Sequence, residues 1–189
     1  MKKFIIENDE LAIKENIPMC QDTGIITCFV TIGNEVIING DLNEAINLGV
    51  KEAYNNFYLR KSVADPISRI NTNDNTPAII HVKMEKGEGF TMKIAPKGAG
   101  SENMSKLKML NPTDGIDGIK KFVIDTVKEA DGKPCPPIFV GLGIGGNFET
   151  CALMAKEALL RESSNKNEEL AKLEKEIKDE LNKLEIGPM

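Results

Sequence analysis

The chain carries 29 acidic against 24 basic side chains over 189 residues, a net charge of −5, with no tryptophan and few aromatics. That balance argues against a nucleic-acid protein, and the scarcity of aromatics argues against binding by stacked bases. No stretch reaches the ~20 apolar residues of a membrane helix. Residues 1–17 alternate charged and apolar side chains, unlike a signal peptide. A cytoplasmic location is therefore expected, where thiols stay reduced and the four cysteines read as metal ligands, catalysts or core.

Residues 1–16 read as a short helix or an irregular lead-in. The loop Pro18-Met19-Cys20-Gln21-Asp22-Thr23-Gly24 follows. Residues 25–32 (IITCFVTI) are rich in β-branched side chains and stop at Gly33, which predicts a strand; residues 35–38 could continue it after a turn. Residues 42–59 predict a helix with Leu42, Ala45, Ile46, Gly49, Val50, Ala53 and Tyr54 on one face. Asp41 is its N-cap, with Glu44 completing a capping box. Residues 71–77 form a polar turn, and residues 78–84 and 90–95 a hairpin across Lys86-Gly87-Glu88-Gly89. A second amphipathic helix is expected over 114–129, a short buried strand over 138–142, and a third helix over 148–160. In residues 163–186, Leu170, Leu173, Ile177, Leu181 and Leu184 recur at helical spacing on a charged background. This is a surface helix with one apolar stripe, or, in a sharper reading, a partner-binding helix. The expected fold is α/β: a mixed sheet with packed helices and a charged amphipathic C-terminal helix, in a single domain over residues 1–189.

Several motifs carry possible chemistry. Cys20 and Cys135 each stand near prolines, in Pro18-Met19-Cys20 and Lys133-Pro134-Cys135-Pro136-Pro137. Pro136 biases Cys135 toward extended backbone. A thiolate on stiff backbone suits a metal, since ordering it costs little entropy. Gly141-Leu142-Gly143-Ile144-Gly145-Gly146 matches a dinucleotide fingerprint only weakly, because the second strand of such a unit is missing. It reads better as an anion-receptive helix start, or as a tight turn with close backbone packing. Pro96-Lys97-Gly98-Ala99-Gly100-Ser101 could be an anion-binding nest or a flexible loop. Arg60 and Lys61 lie at a helix end, where they could complement the dipole or grip a carboxylate. His81, the single histidine, sits in an apolar strand pattern and reads as half-buried; Cys28 and Cys151 read as core.

Taken in order, Cys20-Gln21-Asp22-Thr23-Gly24, Tyr58-Leu59-Arg60-Lys61-Ser62, Asn71-Thr72-Asn73-Asp74-Asn75-Thr76-Pro77, Pro96 to Asn103, Cys135-Pro136-Pro137 and Gly143-Ile144-Gly145-Gly146 form a pattern. From about residue 12 onward the chain resembles the alpha subunit, or N-terminal domain, of the class I fumarate hydratase and L(+)-tartrate dehydratase family. The resemblance implies an oxygen-sensitive 4Fe-4S hydro-lyase. It implies Cys20 and Cys135 as cluster ligands, with a third cysteine beyond residue 189. It further implies Gln21 and Asp22 beside the open iron, Asp22 as acid/base, Arg60 as a substrate-carboxylate ligand and Gly98 as a backbone contact with substrate. A beta subunit or C-terminal domain would complete the site, in a homo-oligomer of alpha-beta units. The family pattern continues past residue 189, so the chain is expected to be a truncated piece, inactive alone. The expected reaction is reversible hydration of fumarate to L-malate, with L(+)-tartrate dehydration as the alternative. A non-catalytic assembly or regulatory module, using the charged C-terminal helix, is the alternative of a different class.

Overall fold

The computed structural model describes residues 2–162 and 165–187. It is α/β and divides into two compact units, Met1–Ala99 and Gly100–Met189. The first contains α1 (Lys2–Glu15), β1 (Ile25–Gly33), α2 (Leu42–Asn56), β2 (Ile79–Glu85) and β3 (Phe90–Lys97).

β1 is apolar along both faces, and all its residues but Ile25 and Thr31 are buried. Such a strand is stable only with a neighbour on each edge, because each exposes a row of unpaired backbone groups. The sheet order is accordingly β2-β1-β3. β2 runs parallel to β1, with Cys28 opposite Ile80, and β3 runs antiparallel, with Cys28 opposite Ile94. Residues 78–84 and 90–95 are therefore strands, but not the hairpin expected from their spacing, since β1 lies between them. Their connection passes around the end of β1. Gly33 N–H donates to Gly89 O at 2.6 Å, Asn34 N–H to Glu85 O at 2.9 Å and Glu35 N–H to Gly87 O at 3.1 Å. A Cβ on Gly33 would lie 2.0 Å from Gly87 O, so only glycine fits there. These bonds turn the chain away, and residues 35–38 do not continue the strand.

One face of β1 (Ile26, Cys28, Val30, Ile32) packs on Ile46, Val50 and Tyr54 of α2. Asp41 caps α2 as expected, its carboxylate accepting from Glu44 N–H at 2.9 Å. Ala45 and Gly49, assigned to the apolar face by periodicity, are exposed. The helix stops at Asn56, short of residue 59: Tyr58 turns to φ +53° and Leu59 N–H donates back to Tyr54 O. That ending is the usual left-handed helix stop.

The second unit is helical. After the helical turn α3 (Ala99–Glu102) come α4 (Gly115–Ala130), α5 (Phe148–Ala158) and α6 (Glu168–Asn182). α6 packs on α4. Ile177 on α6 and Val123 and Val127 on α4 are buried, and Lys120 pairs with Glu176 at 2.5 Å. Arg161 grips Glu174 through both guanidinium nitrogens at 2.8 and 2.9 Å. Residues 138–142 are not a buried strand. Phe139 is 89% exposed, and among the described residues this unit has no strand to pair with them. The segment lies on α5 instead. A Cβ at Gly141 would stand 2.1 Å from Ala155 O, and one at Gly143 2.0 Å from Cys151 O. The glycines thus serve close backbone packing. Gly145 and Gly146, both at positive φ, turn the chain into α5, whose cap Asn147 accepts from Thr150 N–H at 3.0 Å. Among the described residues no helix is long and apolar enough to cross a membrane.

Candidate functional site

The loop over residues 20–24 enters β1, and three anchors below it fix its course. Tyr54, nearly buried at 2% exposure, donates its hydroxyl to Thr23 O at 2.6 Å and Gly24 O at 3.1 Å. Asn75, fully buried, donates from Nδ2 to Gly24 O at 3.1 Å. Gly24 itself holds φ +69°, and a Cβ there would lie 2.5 Å from the Lys97 backbone. Only glycine satisfies both the turn and the approach.

Asp22 is half-buried above this base. Its Oδ1 accepts from Gly24 N–H at 3.1 Å. Its Oδ2 lies over Gly98, 3.0 Å from where a Cβ would be, so Gly98 leaves room for the carboxylate. The stretch after Gly98 is the helical turn α3, which makes the expected loop or nest more ordered than either reading. Cys20 is exposed, and its Sγ accepts from Asp22 N–H at 3.4 Å. Gln21 is exposed beside it, its Oε1 3.6 Å from Cys20 Sγ.

The segment carrying Arg60 is tied to this loop. Thr23 Oγ1 donates to Arg60 O at 3.1 Å, and Asn71 Nδ2 to Lys61 O at 3.1 Å. Asn75 Oδ1 accepts from Ser62 N–H at 2.6 Å and Val63 N–H at 3.2 Å. Arg60 stands four residues beyond the last residue of α2, outside any helix or strand, which weakens a pure helix-dipole role. The first unit thus brings Cys20, Gln21, Asp22 and Gly98 to one loop cluster and fastens the Arg60 backbone to it.

Cys135 belongs to the second unit, in an exposed turn after α4. Its φ is +55°, not the extended backbone that Pro136 favours, because its N–H closes a turn onto Gly132 O at 3.1 Å. Among the described residues no group of three or more His, Cys, Asp or Glu side chains gathers in a way that could hold a metal ion. Cys28 is buried, and burial raises its thiol pKa. Cys151 is half-buried and donates to Phe148 O at 3.4 Å. His81 is half-buried and stacks on Phe29 with ring centroids 5.1 Å apart. Sequence reasoning missed Asn75 and Tyr54 as parts of the site. The available signal was Asn75 within an asparagine-rich turn, where a left-handed backbone is favoured.

Residues 1–189 match the family model described as fumarate hydratase (Fumerase). The chain belongs to that family. Among its relatives, a putative L(+)-tartrate dehydratase subunit alpha of Methanocaldococcus jannaschii is 43% identical over 99% of this chain and 69% of its own length. The L(+)-tartrate dehydratase subunit alpha of Escherichia coli strain K12 is 32% identical over 97% of this chain and 63% of its own length. This member of the fumarate hydratase family thus spans roughly two thirds of the length of those relatives, whose names, like the family's, are those of hydro-lyases.

Proposed function

We propose that this chain is part of the alpha subunit of a 4Fe-4S hydro-lyase that reversibly hydrates fumarate to L-malate in the cytoplasm. The observation that carries the reading is the cluster of Cys20, Gln21, Asp22 and Gly98, with the Arg60 segment fastened to it. The donor set fits part of an iron-sulfur site: Cys20 and Cys135 are both exposed thiols on turns, and Cys20 Sγ already accepts a backbone N–H. These two would hold the group from this chain, with a third cysteine from outside it. When bound, the cluster would supply a Lewis-acidic iron for the substrate hydroxyl.

The rest of the chemistry falls to side chains. Hydration and its reverse make and break a C–H bond next to a carboxylate, and the proton there is weakly acidic. Asp22 would carry that proton, its Oδ1 fixed by Gly24 N–H and its Oδ2 in the opening over Gly98. A positioned carboxylate is typically worth about 10²–10⁴-fold. Arg60 would hold a substrate carboxylate by a bidentate grip, with Gln21 and the Gly98 backbone as further contacts, and so stabilise charge that develops as the proton leaves. A beta subunit or C-terminal domain would complete the site in a homo-oligomer of alpha-beta units.

L(+)-tartrate dehydration is the second reading, favoured by the names of the relatives. Anaerobic assay of the assembled alpha-beta enzyme with fumarate, L-malate and L(+)-tartrate tests both. Faster turnover of fumarate and malate is the expected result, and preference for tartrate selects the second reading. An assembly inert on all three, and without iron, would overturn both in favour of a non-catalytic assembly module.

A further inference from the structure

We infer that Asn75 is a positioning residue that sets the Arg60 segment against the Asp22 loop. The inference rests on the proposed roles of those two residues. Asn75 is fully buried and joins the two segments with one side chain. Its Oδ1 takes two consecutive N–H groups, Ser62 at 2.6 Å and Val63 at 3.2 Å, on the strand of chain leaving Arg60. Its Nδ2 gives to Gly24 O at 3.1 Å, two residues beyond Asp22.

The backbone adds a second constraint. Asn75 sits at φ +62°, a region open to glycine, asparagine and aspartate and strained for most other residues. A turn alone would accept glycine. Glycine has no side chain to bridge the segments, and an ionised aspartate accepts but cannot donate. Asparagine alone combines the left-handed backbone with an acceptor toward Ser62 and Val63 and a donor toward Gly24. The position is built for a two-sided bridge.

That asymmetry yields a test in which the two ends separate. Asn75→Asp keeps the acceptor for Ser62 and Val63 but turns an oxygen toward Gly24 O. The Asp22 loop loses its donor while the Arg60 segment stays held. Asn75→Gly keeps the backbone and releases both ends. Both variants are made in the assembled full-length enzyme, where Tyr54 still anchors Thr23 and Gly24. Amide hydrogen exchange and steady-state kinetics on the preferred dicarboxylate are then measured.

In Asn75→Asp, exchange over residues 20–25 should quicken about tenfold while residues 62–63 stay protected. kcat should fall roughly ten- to hundredfold with KM nearly unchanged, since small misplacements of a reacting group are costly. In Asn75→Gly both segments should exchange faster, kcat should fall and KM should rise. Equal changes of kcat and KM in the two variants would reduce Asn75 to a stabilising residue and overturn the inference. So would wild-type kcat in Asn75→Asp, which also decides the matter if Asn75→Gly does not fold. A wild-type assembly inert toward every dicarboxylate would overturn the hydro-lyase reading instead. The exchange pattern would then judge the bridge by itself.

Discussion

Tyr54 shows how much of this site depends on a residue that no substrate would touch. Its hydroxyl serves two carbonyls of the Asp22 loop from within the core. Burial raises its pKa, a hydrogen bond with Thr23 partly opposes this, and the nearby Asp22 charge raises it further. Below pH about 10, the ordinary tyrosine value, folded and unfolded chains both keep the proton, and the contribution of Tyr54 is fully present. As pH rises past that value the unfolded chain ionises first, so stability falls until the folded tyrosine also ionises. Tyr54→Phe should therefore cost about 1–3 kcal/mol near neutrality, the cost of unsatisfied buried groups. It should also flatten the alkaline fall in stability, leaving the part due to the Cys28 thiol, whose pKa burial raises too. Urea unfolding of both proteins from neutral to alkaline pH checks this, and an unchanged alkaline slope would contradict it.

At the scale of elements, glycines separate into those that packing requires and those it does not. Gly143 meets Cys151 O and Ala155 N of α5 with no room for a methyl group. Gly143→Ala should cost about 3 kcal/mol, at the upper end of ordinary overpacking. Gly49, exposed on α2 with nothing within 4 Å of where a methyl group would stand, should behave oppositely. Gly49→Ala should stabilise by up to about 1 kcal/mol through helix propensity. Denaturation midpoints of the two variants give the comparison. The same contrast explains what was legible in the sequence. β1, α2 and the Asp41 cap could be read because composition, period and capping act within a few residues. The partners of β1 could not, because residues 78–84 and 90–95 look like a hairpin until a distant strand claims both edges. Residues 138–142 have strand composition but packed against a helix whose small residues admit a close backbone. Cys20, Gln21, Asp22, Arg60 and Gly98 were visible as an ordered pattern of motifs. Asn75 was not, because a buried bridge and an exposed polar turn use the same residue type.

For the whole molecule, the two units divide the proposed ligands between them, Cys20 in the first and Cys135 in the second. Anaerobic reconstitution of the assembled enzyme should give about four irons per alpha subunit, and Cys20→Ala should lose them. Iron and sulfide analysis measures this, and a retained cluster would remove Cys20 from the ligand set. The route of the chain around the end of β1 has a separate consequence, for synthesis on the ribosome. β1 emerges first, yet its edges are claimed by β2 and β3, the last of which ends at Lys97. Until Glu85 a nascent chain carries IITCFVTI with both edges open, and until Lys97 with the β3 edge still open, a composition prone to intermolecular zippers. Pausing or truncation before Lys97 is where this protein is most exposed to aggregation, and a chaperone acting on the nascent chain would protect that interval.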